Sequence, residues 1–285
     1  AGTFYPQQDM TAKDRLQFYA SRFPIVEVDS TYYAPPSEAT AGLWVERTPD
    51  RFTFDVKAFR LMTQHPTPPK SLWKDLREAL PAELAEKRNI YVRDLPRDVQ
   101  AEAFRRFVEA LLPLHSAGKL GSVLLQFPPY FYPSSASYGY LSWAAEQLAE
   151  YDVAVEFRQA RWMDEGHATA TLDFLAEHGL GYVCVDEPQG FKSSIPPVVA
   201  ATALFAEVRF HGRNAGTWEA RGISAAERFK YDYSNEELSA WVDRIGGLAA
   251  SAARVHVLMN NCYADFGVRN ASTIADLLAA ELGTA

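Results

Sequence analysis

Short apolar runs alternate along the chain with longer segments in which apolar residues recur every three or four positions. This alternation predicts strands and helices in turn, and therefore βαβ units that build a parallel sheet. The predicted strands cover residues 25–29, 52–57, 122–126, 152–158, 181–186, 204–211 and 254–260. The predicted helices cover residues 101–117, 138–150, 169–179, 235–250 and 270–282. The helix at 235–250 also has a start signal, because Ser234 and Glu237 have the spacing of a capping box.

Seven predicted strands indicate an α/β protein with a TIM-like (β/α)8 barrel, a fold whose closed form has eight strands. We therefore expect the first strand to lie upstream of residue 1. The alternative is an open doubly wound sheet, but the chain has no G-x-G-x-x-G turn of the dinucleotide-binding type. We expect a single domain over residues 1–285 with a long insertion at about 61–100. That segment and residues 187–203 are each either a lid or a rigid surface insertion.

Composition narrows the class of protein. The chain has 285 residues, with 28 Lys and Arg against 36 Asp and Glu, and 48% of its residues are hydrophobic. This apolar content excludes a disordered chain, and the formal net charge of −8 disfavours non-specific nucleic-acid binding. Two cysteines are too few for a disulfide scaffold and favour a reducing cytoplasm. No apolar run approaches the ~18 residues of a membrane span, so no membrane partner is expected.

Polar residues recur where the predicted strands end. In the strand 152–158, Val153 and Val155 lie on one face, which places Glu156 and Arg158 on the other. The same parity directs the following residues inward: Glu27, Asp29, Lys57, Gln126, Asp186, Arg209, His211 and Asn260. Parallel strands that are buried on both faces are usually almost entirely apolar. Polar residues at the same end of each strand therefore predict a functional site at the C-terminal mouth of the barrel.

Acid–base chemistry is the reaction type that these residues favour. We predict Glu156, Glu27 and His211 as catalytic residues, and a neutral His211 beside two arginines would have a lowered pKa. The residues predicted to bind the substrate are Lys57, Gln126, Arg158, Asp186, Arg209, Arg213, Asn260, Asn261, Trp162 and Tyr231. The alternative for Glu156 and Arg158 is a buried ion pair without a catalytic role.

The loops after the last two strands resemble a phosphate cradle. Residues 209–214 follow one of these strands and residues 260–261 follow the other. Gly212 would let a backbone N–H approach an anion closely. Aromatic residues near these strand ends either stack on a sugar or base or pack beneath loops. They are Tyr32, Tyr33, Trp162, Trp218, Tyr231 and Tyr233.

The missing motifs leave few reaction classes. The six histidines show neither H-x-H nor H-E-x-x-H spacing, and there is no G-x-S-x-G or P-loop motif. We therefore predict no metal and no cofactor. The leading hypothesis is a metal-independent enzyme, a hydrolase or a lyase, that acts on a small anion such as a sugar phosphate or a nucleotide. The alternatives are an endonuclease-like barrel that processes nucleic acid and a non-catalytic anion-binding protein.

An ordered set of short motifs runs along nearly the whole chain. The motifs are FYP at 4–6, EVDSTYY at 27–33, VKA at 56–58, TQH at 63–65, QFPP at 126–129, EFR at 156–158, RFHGR at 209–213, YDY at 231–233 and NN at 260–261. In this order they resemble the domain-of-unknown-function family 72, also called YecE-like. The resemblance implies a TIM-like barrel and a bacterial or archaeal type of protein, and it implies no activity. It also implies a first strand ahead of Phe4, whereas Asp29, Gln159 and the insertion at 61–100 depart from the family pattern.

Overall fold

The computed structural model describes residues 4–282. Within this range the fold contains seven strands, which follow one another along the chain. They are β1 (Ile25–Val28), β2 (Thr53–Lys57), β3 (Leu120–Gln126), β4 (Val153–Glu156), β5 (Gly181–Asp186), β6 (Phe205–Phe210) and β7 (Arg254–Met259). All seven predicted strands are thereby confirmed. The strand expected upstream of residue 1 lies outside the described residues.

The strands form a sheet in the order in which they occur along the chain, β1 to β7. The pairs β1–β2, β2–β3, β5–β6 and β6–β7 are parallel. In β5 and β6, Asp186 lies opposite Phe210, so the C-terminal ends of these two strands are level. The fold is therefore an α/β fold of the TIM-like barrel class, as predicted.

Ten α-helices occur within the described residues. They are α1 (Ala12–Ala20), α2 (Glu38–Glu46), α3 (Lys74–Glu78), α4 (Ala82–Ala85), α5 (Arg97–Ser116), α6 (Ser135–Gln147), α7 (Ala168–Glu177), α8 (Ala225–Arg228), α9 (Asn235–Ser251) and α10 (Phe266–Leu282). The five predicted helices correspond to α5, α6, α7, α9 and α10. The capping box of α9 is confirmed, because Ser234 Oγ accepts from the Glu237 N–H and Glu237 Oε2 accepts from the Ser234 N–H. Across the described range, none of the helices is both long and apolar enough to cross a membrane.

The chain divides into two compact units. The first unit is Met10–Val155, and its core includes the buried side chains of Phe54, Phe104, Phe107 and Leu124. The 3.6-residue periodicity of α5 explains this packing, because its buried Phe104, Phe107 and Leu111 lie on one face of the helix.

The second unit contains residues 156–282 together with residues 4–9. Its strands β5 and β6 are buried along their whole length. The helix α9 packs on β6 and β7, and its Trp241 is fully buried.

The two long connections differ in structure from flexible loops. Residues 61–100 contain α3 and α4 and bury Leu61, Met62 and Ile90 in the first unit. Within this segment, Thr67 pairs with Ile90 in an antiparallel bridge. Residues 187–203 form no regular helix or strand, yet Glu187 and Ile195 are buried.

Candidate functional site

Four polar side chains of the second unit meet at the ends of its strands. Glu156 is the last residue of β4, and Arg158 follows two positions later. Arg209 lies near the end of β6, and His211 comes directly after that strand. Because the C-terminal ends of parallel strands share one edge of the sheet, the backbone brings these side chains together.

Glu156 is the centre of this group. Its carboxylate is fully buried and accepts a hydrogen bond from Nη1 of Arg209 through Oε2. Its other oxygen, Oε1, lies 3.1 Å from Nε of Arg158 and 3.2 Å from Nε2 of His211. Burial by itself raises the pKa of Glu156, but the charges of Arg209 and Arg158 outweigh burial and hold the pKa well below its ordinary value. Glu156 is therefore an anion throughout the physiological pH range.

His211 is neutral in this environment. Burial lowers its pKa to about 3, and the neighbouring Glu156 carboxylate offsets only part of that effect. The side-chain amide of Asn260 lies 2.9 Å from Nδ1, an arrangement in which Asn260 Nδ2 donates to Nδ1 and the ring proton is on Nε2. Among residues 4–282, Nε2 has no hydrogen-bond partner with suitable geometry, although Glu156 is close to it.

Glu187 joins the group from the residue after β5. Its side chain is fully buried, and its Oε2 accepts a hydrogen bond from Nη1 of Arg158. Its Oε1 accepts from the backbone N–H of Ile195 at 2.6 Å. Burial raises the pKa of Glu187 to about 7, against the opposing charge of Arg158. Glu187 therefore exchanges its proton near neutral pH, whereas Glu156 does not.

Sequence analysis missed Glu187 as a functional residue. The parity that selected inward residues ends at Asp186, the last residue of β5, and gives no reason to include the next position. The available signal was the acidic pair Asp186-Glu187 at the end of a buried strand.

We call Glu156, Arg158, Glu187, Arg209 and His211 the Glu156 cluster.

Two buried hydroxyl groups of the second unit have no hydrogen-bond partner among the described residues. Within the described part of the chain, Oη of Tyr182 and Oγ of Ser194 are buried and make no hydrogen bond. Ser194 precedes Ile195, whose N–H binds Glu187. The charges of Glu187 and Glu156 both act on the Tyr182 hydroxyl, whose pKa burial raises well above its ordinary value. Buried polar groups are almost always paired, so their accumulation here is a property of this site.

Asp186 has a different environment from its neighbour Glu187. Its carboxylate accepts two hydrogen bonds from Arg213, at 2.8 and 2.6 Å. It also accepts from the Tyr233 hydroxyl and from the Trp241 indole N–H, each at 2.7 Å. Arg213 contacts Glu237 in addition, at 3.1 Å. Asp186 and Arg213 are thus engaged with each other and with protein groups that connect β5 to α9.

The backbone of Gly212 contacts a tyrosine. Its N–H donates to the Tyr233 hydroxyl at 2.9 Å. The φ angle is +81°, and a Cβ atom at this position would come within 2.6 Å of Cβ of Tyr231. Glycine is therefore required here by backbone conformation and by the close approach of Tyr231.

The remaining predicted residues of the second unit make contacts within the protein. Trp162 is fully buried and stacks on Phe157 with 4.1 Å between the ring centroids. The Tyr231 hydroxyl donates to Oε1 of Glu237 at 2.6 Å. The side-chain amide of Asn261 donates to the Tyr231 carbonyl oxygen at 2.8 Å. Trp162 thus packs in the connection after β4, and Tyr231 and Asn261 link the loops after β6 and β7.

Three predicted site residues belong to the first unit. Lys57 ends β2 and forms an ion pair with Asp29, with 3.0 Å between Nζ and Oδ1. Glu27 lies in β1 opposite Asp55 of β2, and it is partly buried. Gln126 is the last residue of β3 and is also partly buried.

Over residues 4–282, no three His, Cys, Asp or Glu side chains are grouped so that they could hold a metal ion.

The fold and these strand ends define a class of protein, a TIM-like barrel with a buried polar cluster at the C-terminal ends of its strands. Residues 1–284 match the family described as protein of unknown function DUF72. The UPF0759 protein YunF of Bacillus subtilis is 32% identical over 280 residues, which cover 97% of this chain and 90% of that protein. The chain belongs to the DUF72 family.

Two solved structures support this assignment. A DUF72 family protein of Enterococcus faecalis superposes with a TM-score of 0.77 and 25% identity, covering 92% of this chain and 87% of that one. A DUF72 family protein of Thermotoga maritima superposes with a TM-score of 0.76 and 30% identity, covering 98% and 94% of the two chains. The predicted family is thereby confirmed.

Proposed function

We propose that this protein is an enzyme that acts on a small anionic substrate by proton transfer at the Glu156 cluster. The observation that carries the proposal is Glu187, a buried carboxyl group whose pKa of about 7 suits a general acid or base. An ordinary glutamate is almost fully ionised at neutral pH, whereas Glu187 holds its proton half of the time there. The unpartnered polar atoms of Tyr182, Ser194 and His211 give a bound substrate groups with which it can form hydrogen bonds.

The charge balance of the cluster favours an anion. Arg158 and Arg209 carry two positive charges, Glu156 carries one negative charge, and His211 is neutral. The cluster is therefore neutral when Glu187 is ionised and has one net positive charge when Glu187 is protonated. In a site of low polarity, such an excess charge attracts an anion more strongly than it would in water.

Each residue then has a defined role. Glu187 gives its proton to the substrate and takes it back, and Arg158, which contacts both carboxylates, stabilises negative charge that develops on the substrate. Glu156 was a predicted acid–base residue, but its lowered pKa suits it better to holding Arg158 and Arg209 in place. His211 acts as a neutral donor through Nε2. The indole of Trp218 lies 4.8 Å from the Arg158 guanidinium and forms an aromatic wall beside it.

Anion binding at two pH values tests this proposal. Titration calorimetry with inorganic phosphate, sugar phosphates and nucleotides should show a Kd that rises by up to tenfold for each pH unit above 7. The reason is that binding favours protonated Glu187. In Glu187→Gln the Kd should lose this component of its pH dependence, while turnover of any substrate found in the panel should fall at least a hundredfold.

Three results would contradict the proposal. One is that every ligand bound by the wild type binds with the same pH dependence in Glu187→Gln, which would remove Glu187 from the site. Another is that Arg158→Ala weakens the binding of none of these ligands. The third is turnover that persists in Glu187→Gln, which would remove its acid–base role.

We further propose a cytoplasmic location and a bacterial source. The chain has two cysteines, too few for a disulfide scaffold, which agrees with a reducing compartment. The relatives described above come from three bacteria.

A further inference from the structure

A second cluster of charge and aromatic rings lies in the first unit. Two cationic side chains lie over the ring of Tyr32. Nζ of Lys57 lies 5.1 Å from the ring centroid, and Cζ of Arg60 lies 5.2 Å from it. The ring of His65 meets the same tyrosine edge-on, with 5.2 Å between the centroids. The ring of Tyr32 thus contacts two cationic side chains, although the whole protein carries a net negative charge.

Two more tyrosines extend this surface into solvent. Tyr33 is 62% exposed and its ring is nearly perpendicular to that of Tyr32, at 5.0 Å between centroids. Tyr130 is 49% exposed and follows β3. We call Tyr32, Tyr33, Lys57, Arg60 and Tyr130 the tyrosine platform. Exposed apolar side chains that adjoin one another mark binding surfaces, whereas isolated ones are normal.

The backbone fixes the platform in one arrangement. The Arg60 N–H donates to the Tyr32 carbonyl oxygen at 3.1 Å, and the Arg60 carbonyl oxygen accepts from the His65 N–H at 3.0 Å. The Tyr130 hydroxyl donates to the Gln64 carbonyl oxygen at 3.0 Å. Gln64 has a φ of +61°, a left-handed conformation that is unfavourable for a non-glycine residue. Backbone strain of this type clusters at ligand-binding positions.

Arg60 is the cation of the platform that is available for an anion. Lys57 is neutralised by Asp29 at 3.0 Å. The Nε of Arg60, by contrast, is buried and makes no hydrogen bond with any described residue. A guanidinium with an unsatisfied N–H, placed beside exposed aromatic rings, suits a ligand that combines a phosphate with a planar ring.

We propose that the tyrosine platform binds a nucleoside monophosphate, with the base stacked on Tyr33 and the phosphate on Arg60. A sugar phosphate would use the arginine but would leave the exposed rings without a planar partner. Stacking of a base on an aromatic side chain tolerates any base, so the platform should accept purine and pyrimidine nucleotides alike. This site goes beyond the proposed function, which uses residues of the second unit alone.

Titration calorimetry with AMP tests the proposal, with adenosine and ribose 5-phosphate as partial ligands. AMP should bind at least tenfold more tightly than either of them, because only AMP engages both Tyr33 and Arg60. Tyr33→Ala should weaken AMP binding about tenfold, while Tyr33→Phe retains it, because the ring rather than the hydroxyl carries the stacking. Arg60→Ala should lower the affinity for AMP to that for adenosine.

Two control variants separate this site from other positive charges. Arg22 also lies on an aromatic ring of the first unit, 5.3 Å from the Phe18 centroid, and Arg22→Ala should leave AMP binding unchanged. Arg158→Ala disrupts the Glu156 cluster and should also leave AMP binding to the platform unchanged, so the two proposals fail separately. Thermal unfolding of each variant shows that it is folded.

Four results would overturn the proposal. Three of them are equal affinity for AMP and ribose 5-phosphate, AMP binding that Tyr33→Ala does not weaken, and loss of AMP binding in Arg158→Ala. A single-stranded oligonucleotide that binds while AMP does not would assign the platform to a nucleic acid instead and would equally overturn it.

Discussion

Arg158 donates from Nη1 to Oε2 of Glu187, whose side chain is fully buried. The same guanidinium lies 3.1 Å from Glu156 through Nε. One arginine thus contacts two carboxyl groups of opposite behaviour, since the pKa of Glu156 is well below its ordinary value and that of Glu187 is raised to about 7. Two carboxyl groups whose environments separate their pKa values are a common basis for acid–base chemistry.

The raised pKa of Glu187 should make the stability of the protein depend on pH. The folded protein binds the Glu187 proton more tightly than the unfolded chain, in which the pKa is about 4.5. The contribution to the free energy of unfolding is therefore complete below about pH 4.5 and is lost as the pH rises through about 7. The loss should be on the order of 3 kcal/mol. Urea unfolding between pH 5 and pH 8 measures it, and Glu187→Gln should lack it. If the free energy of unfolding changes equally with pH in the wild type and in Glu187→Gln, the raised pKa assigned to Glu187 is wrong.

Removal of one partner of the buried pair Arg209 and Glu156 should strongly destabilise the protein. Both side chains are fully buried, so Arg209→Met leaves Glu156 with a large desolvation penalty and should cost about 3–5 kcal/mol. The double variant Glu156→Gln with Arg209→Met removes both charges and should be more stable than Arg209→Met alone. Urea unfolding of the wild type, both single variants and the double variant gives the coupling between the two residues. Additive effects would show that the pair does not interact.

Gly212→Ala should destabilise the loop after β6. The change forces an alanine into a φ of +81° and brings its Cβ within 2.6 Å of Tyr231, which should cost about 2 kcal/mol or more. Gly222→Ala is the matched control, because its φ is +76° but nothing lies within 4 Å of the new Cβ. Gly222→Ala should cost about 1 kcal/mol, from backbone strain alone. Equal losses in thermal unfolding would show that Tyr231 does not crowd this position.

Lys119 should stabilise the first unit through its ammonium group. Its Nζ is buried and donates to the carbonyl oxygens of Val45 and Thr48, each at 2.8 Å. Lys119→Met keeps most of the side-chain volume but leaves both carbonyl oxygens without this donor, which should cost about 1–3 kcal/mol. Lys74→Met is the control, because the Lys74 side chain is 81% exposed and its loss should change stability by less than about 0.5 kcal/mol. A Lys119→Met variant as stable as the Lys74→Met control would contradict the stabilising role of the Lys119 ammonium group.

Hydrophobic periodicity predicted the sheet well and the helices less well. The strands have continuous apolar runs, whereas α1 has no buried residue and therefore no apolar stripe to recognise. Its start is fixed by a capping box between Thr11 and Asp14, which is a local signal and easily overlooked. The helix α2 is apolar on most of its surface, so its periodicity is weak.

Strand parity identified most of the polar residues that the structure brings together, including Glu156, Arg209 and His211. It could not separate residues that face a site from residues that hold the loops, because both types lie at strand ends. Asp186 and Arg213 look equivalent to Glu156 and Arg158 in the sequence, yet they bind each other. The raised pKa of Glu187 depends on its burial, and no local pattern in the sequence encodes that burial.

A direct titration of Glu187 tests the central claim of this account. Carbon-13 NMR of the side-chain carboxyl groups, followed from pH 4 to pH 9 in the wild type and in Glu187→Gln, assigns the signal and gives its pKa. The account predicts a signal that titrates near pH 7 and is missing from Glu187→Gln. A Glu187 signal that titrates near 4.5, as an exposed glutamate does, would contradict the proposed acid–base role.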